Sequence, residues 1–92
     1  MKLTVEMFGL ARRLTQEKAV EIEVSEGATL RDVVTALTNR YPVLIGQVFA
    51  PQTHEFVAPY FFVIDGKRPA QSLDVQVQEG QKLILMFQEA GG

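Results

Sequence analysis

Helical periodicity is confined to one stretch of this chain, so its other apolar residues must be laid out as strands around a single main helix. Leu30, Val33, Val34, Leu37 and Tyr41 fall at i, i+3, i+4, i+7 and i+11, one apolar stripe. Thr29 stands ahead of it as an N-cap, with Asp32 three residues on. That spacing approximates a capping box and puts an acid in the first turn, where the helix dipole favours it. Pro42 ends the run.

The flanking segments alternate with a period of two. In residues 2–8, Leu3, Val5 and Met7 share one face, and Thr4, Glu6 and Phe8 the other. In residues 18–24, Val20, Ile22 and Val24 point inward and Glu21 and Glu23 outward, so the two segments predict an antiparallel hairpin. Residues 9–14 break it as a longish turn with room for one helical turn. Beyond the helix, residues 43–59 are ambiguous: Val43-Leu44-Ile45 and Val48-Phe49 are apolar, and Pro51 and Pro59 flank Gln52-Thr53-His54-Glu55. A connection this long in a small domain has a function or a short helix of its own.

Tyr60 to Ile64 is a continuous aromatic and β-branched run, the pattern of a strand buried on both faces. Asp65-Gly66 marks a tight turn. Leu73, Val75 and Val77 alternate weakly as a short strand, and Glu79-Gly80 turns into a last strand at 82–87. The order strand, strand, helix, long loop, strand, short strand, strand predicts an α+β fold. Its mixed sheet of four to five strands carries the main helix on one face. With no internal repeat or linker, the expected organisation is one domain over 1–87 and a flexible tail over 88–92.

Composition removes several function classes. A net charge of −2 offers no broad basic face for nucleic acid. No apolar run approaches the ~18 residues of a membrane span, and the alternating N-terminus does not read as a signal peptide, so a cytoplasmic location is expected. There is no cysteine, hence no disulfide frame, thiolate metal site or side-chain persulfide. No phosphate loop or metal-ligand spacing is present. What stands out is Gly91-Gly92, three residues beyond the apolar run 83–87. Glycine lacks a Cβ and passes where other residues cannot, so a carboxylate on such a stalk can be delivered into another protein's active site.

Phe8-Gly9-Leu10-Ala11-Arg12, Glu26 to Val34, Leu37 to Tyr41-Pro42, Val63 to Lys67, Leu73-Asp74 to Glu79-Gly80 and Ala90-Gly91-Gly92 together carry a family resemblance. In this order the chain resembles the sulfur-carrier branch of the ubiquitin-like β-grasp proteins: molybdopterin synthase small subunits (MoaD type) and thiamine sulfur carriers (ThiS type). Its length favours the molybdopterin branch. Two positions depart from the family's habit. Asp65-Gly66 replaces Asn-Gly, and Phe87-Gln88-Glu89 stands where proline and small apolar residues precede Ala-Gly-Gly.

The resemblance implies that the first and last strands lie side by side in the sheet. It also implies that an E1-like adenylating enzyme uses MgATP to convert the Gly92 carboxylate to an acyl-adenylate. A persulfide sulfur donor then makes it a thiocarboxylate. Ala90, Gly91 and Gly92 would thread into the molybdopterin synthase large subunit or another sulfur-acceptor enzyme. The chain itself would hold no cofactor, metal or catalytic residue. Three alternatives stay open: a carrier for thiamine or another sulfur metabolite, a modifier joined to lysines through Gly92, and a docking module whose Gly-Gly is incidental.

A docking surface is expected on the sheet face away from the helix, where Thr4, Phe8, Phe61 and Val63 point, unless the 43–59 loop covers it. Phe87 is expected either at the partner interface or in the core. His54 has no partner in the sequence and reads as a solvated loop residue. Arg12-Arg13 and Lys67-Arg68 read as solvated charges or as guides for an acidic partner.

Overall fold

The computed structural model describes residues 1–57 and 59–87. Alternation sets the first strand, β1 (Lys2–Met7), with Leu3, Val5 and Met7 buried. It pairs antiparallel with β2 (Ala19–Glu23), Val5 lying opposite Val20. On its other edge β1 runs parallel to the last strand, β5 (Lys82–Phe87), with Val5 opposite Leu83 and Met7 opposite Leu85. β3 (Tyr60–Ile64) pairs antiparallel with β5, and the two-residue β4 (Arg68–Pro69) closes the sheet in the order β2-β1-β5-β3-β4. The first and last strands are therefore central neighbours, as the resemblance implies.

Between β1 and β2 the chain forms α1 (Gly9–Thr15), and after β2 the main helix, α2 (Leu30–Arg40). The capping box holds: the Thr29 backbone N–H donates to Asp32 Oδ2 at 2.9 Å. Leu30, Val33, Val34 and Leu37 are fully buried against Leu3, Val5, Phe62, Leu83 and Leu85, while Tyr41 is only partly buried.

The ambiguous stretch does contain a short helix, a 3-10 turn over Pro42–Leu44. It then sends Val48 and Phe49 into the core. The Phe49 ring lies 5.1 Å from Phe56 and 6.4 Å from Phe62, and Phe56 meets Phe62 edge-on at 5.2 Å. Since Phe62 is on the buried side of β3, the segment packs with the helix side and does not lie over the opposite face. Arg31 ties it down, donating to the Thr53 carbonyl at 2.7 Å and pairing with Glu55 at 2.9 Å and Asp74 at 3.5 Å. The hydrogen bond to Glu55 raises the Arg31 pKa above its ordinary value, so this tie stays cationic.

Four expectations need correction. Residues 9–14 are not a turn with one helical turn but most of a seven-residue helix, anchored by buried Ala11 and by Thr15 Oγ1 donating to the Ala11 carbonyl at 2.9 Å. Phe8 is the N-cap of that helix rather than a strand residue. Tyr60 to Ile64 is buried on one face only: Phe62 and Ile64 are buried, and Tyr60, Phe61 and Val63 are half-exposed.

Residues 73–77 are not a strand. Their carbonyls take up donors at the start of α2: Leu30 N–H to Val75 O and Arg31 N–H to Leu73 O, both at 2.9 Å. Helix-terminal N–H groups have no intrahelical acceptor, and here a passing chain supplies it.

Candidate docking face and chain exit

The strand registers determine which candidate residues meet. Phe61 lies opposite Met86, and Val63 opposite Ile84 on one side and Pro69 on the other. Leu83 and Leu85 point into the core, so Ile84 and Met86 point with Phe61 and Val63 to the other face. All four are half-exposed, and together they form an apolar strip across β5 and β3. Toward β1 and β2 the same face becomes charged. Glu6 pairs with Lys82 at 3.1 Å, and Glu21 and Glu23 stand opposite Thr4 and Lys2.

Phe61 and Val63 are thus brought together as expected, but Ile84 and Met86 were missed as their partners. The signal was in the sequence: residues 83–86 are apolar at every position, so the strand must show apolar side chains on both faces.

Phe87 belongs to a different surface. It follows Leu85 by two residues, so alternation turns it to the helix side, where β5 reaches the sheet end. There it faces Tyr60, with ring centroids 6.0 Å apart. Its other neighbour is Gly9, the first residue of α1. A Cβ built on Gly9 would overlap Cε1 of the Phe87 ring and stand 2.9 Å from Cδ1. Gly9, Leu10, Arg12, Arg13, Tyr60 and Phe87 line an open depression at this end, with an apolar floor and exposed guanidinium groups.

Lys67 and Arg68 lie at the opposite end of β3, beyond the Asp65-Gly66 turn. His54 is half-buried, with Nδ1 3.3 Å from Thr35 Oγ1, so it is not the solvated residue expected. Ala90, Gly91 and Gly92, with the rest of 88–92, lie outside the described residues. Among the described residues no group of three His, Cys, Asp or Glu side chains could hold a metal ion, and no helix is long and apolar enough to cross a membrane.

No family model matches the chain, and no curated protein matches it in sequence. Solved structures do match in shape. SAMP1 of Haloferax volcanii, a small archaeal modifier protein, superposes with a TM-score of 0.85 at 23% identity over 100% of both chains. A putative molybdopterin converting factor subunit 1 from Pyrococcus furiosus gives 0.72 at 23% identity, over 91% of this chain and 93% of that one. A chain of the BexX/CysO complex of Amycolatopsis orientalis gives 0.76 at 20% identity, over 98% and 99%. The fold is therefore the ubiquitin-like β-grasp that these small proteins share.

Proposed function

We propose that this chain is a ubiquitin-like sulfur carrier whose reactive group is the carboxylate of Gly92. The observation that carries the reading is the position of β5. This strand is central in the sheet and ends at Phe87, from which the sequence continues as Gln88-Glu89-Ala90-Gly91-Gly92. The diglycine sequence suits passage through a narrow channel, and the apolar strip of Phe61, Val63, Ile84 and Met86 suits a partner that grips the body while the glycines reach its active site.

The chemistry would then be divided between proteins. A carboxylate is a poor electrophile, so an E1-like adenylating enzyme would spend MgATP to form the Gly92 acyl-adenylate, releasing pyrophosphate. A persulfide donor would attack that carbonyl carbon and expel AMP. A second thiol would cleave the resulting acyl disulfide, leaving a thiocarboxylate. The absence of cysteine fits a protein that holds its sulfur on the main chain. The favoured acceptor is the large subunit of a molybdopterin synthase, supported by the likeness to the Pyrococcus furiosus protein.

Likeness to the archaeal modifier favours a second reading, in which Gly92 is joined to lysines as an isopeptide. Intact mass after incubation with MgATP, the cognate adenylating enzyme and a persulfide donor tests the first. The expected gain is the exchange of one oxygen for sulfur, absent when Gly92 is deleted. No gain, with an enzyme shown active on another carrier, would overturn it. High-mass conjugates that vanish with the same deletion would support the second.

A further inference from the structure

We infer that Gly9 is a positioning residue for the chain exit, acting through the ring of Phe87; its consequence for activation rests on the carrier reading above. β1 and β5 are parallel neighbours with Met7 opposite Leu85, so two residues further on Gly9 comes level with Phe87. Any side chain at residue 9 would occupy the space the ring now fills, since a Cβ there overlaps Cε1. On the other edge of β5 the ring meets Tyr60. Phe87 is thus held between the elements that follow β1 and begin β3, and it is the last residue of the strand leading to Gly92.

Gly9 meets a second requirement at the same position. Its φ is 57°, a left-handed value in which an L side chain is strained. One residue therefore both turns the chain from β1 into α1 and leaves the gap that seats the ring. The ring is a terminal group on a single side chain, so filling the gap displaces Phe87 without dismantling the core. Gly9 itself is exposed, at the rim of the fold. Displacing the ring removes the contact that seats the last residue of β5, from which the sequence runs on to Gly92, while the strip of Phe61, Val63, Ile84 and Met86 faces the other side of the sheet.

The test is a double-mutant cycle over Gly9→Ala and Phe87→Leu. Ring-current shifts at residue 9 report whether the ring has left. ATP–pyrophosphate exchange by the cognate adenylating enzyme reports presentation of Gly92. In folded Gly9→Ala protein, the ring-current shift should be lost and kcat should fall about tenfold or more, because misplacing a reacting group by around an ångström is that costly. KM should stay within about threefold of wild type, because the strip that a partner would grip is unchanged. On the Phe87→Leu background Gly9→Ala should cost almost nothing further in kcat, since its effect on presentation runs through the ring, whereas the strain of the left-handed φ falls on stability on both backgrounds.

Wild-type kcat in a variant whose ring is displaced would overturn the positioning role. So would an equal loss on both backgrounds, or a lower melting temperature with unchanged turnover by the folded protein. If the wild-type chain supports no exchange with an enzyme active on another carrier, the carrier reading fails and the role in activation fails with it. That outcome is separate from an active wild type indifferent to Gly9.

Discussion

At the residue scale, local chemistry and long-range register contribute differently. Asp65 and Gly66 form a turn with φ of 53° and 67°, closed by Lys67 N–H donating to the Ile64 carbonyl at 3.0 Å. Two successive positive φ values are the signature of a type I′ turn, for which Asp-Gly is among the preferred pairs. Gly66→Ala should cost about 1 kcal/mol, because the alanine Cβ strains that conformation although there is open space around it. A lowered urea midpoint with an unchanged slope would show this. The turn was legible because all its determinants are adjacent in sequence. The seat of Phe87 was not, because it depends on strands 78 residues apart in the chain coming level, as Met7 and Leu85 do. Nothing near Gly9 in sequence announces that an aromatic ring will lie on it.

Among the elements, length decided what could be read. α2 runs eleven residues and shows its stripe, cap and stop in order. α1 has seven, too few to establish a period, with Arg12 and Arg13 on its exposed side. β4 has two residues and no pattern at all. The weak alternation of Leu73, Val75 and Val77 was real, with Leu73 and Val77 buried, but it serves the start of α2 and not a strand. The backbone hydrogen bonds of the segment after α2 are mostly local to it, and Arg31, with the His54–Thr35 contact, ties it to the helix. Arg31→Gln removes the charge that holds Glu55 and weakens the grip on the Thr53 carbonyl. Limited proteolysis should then cut faster within residues 50–57, while the β-sheet circular dichroism stays unchanged. Equal cleavage rates in the two proteins would show that the aromatic trio of Phe49, Phe56 and Phe62, with the His54–Thr35 contact, holds the segment without Arg31.

Across the whole molecule, the two faces of one sheet are put to different uses. The helix side is filled by α2 and by Val48 and Phe49, leaving the apolar strip of β5 and β3 on the other side. On the carrier reading, Phe61→Ala should raise KM for activation about tenfold with little change in kcat, since aromatic anchors dominate interface energetics and this one faces the opposite side of the sheet from the Phe87 ring. Steady-state kinetics of pyrophosphate exchange measure it; a fall in kcat alone would place Phe61 outside the docking surface. The faces themselves could be anticipated from alternation, but the course of residues 43–59 could not, because Val48-Phe49 is too short to carry a direction. The parallel pairing of β1 with β5 also has a consequence for biosynthesis. The hydrogen-bonded neighbour of residues 4–7 is residues 82–85, so β1 must wait for a segment 78 residues further on before its second edge is covered. A nascent chain lacking β5 has a gap in the middle of its sheet, and assembly dominated by such distant pairings is slow. The native sheet therefore cannot close until residues 82–85 have been made, and a chain truncated before Lys82 should lack the native β-sheet circular dichroism.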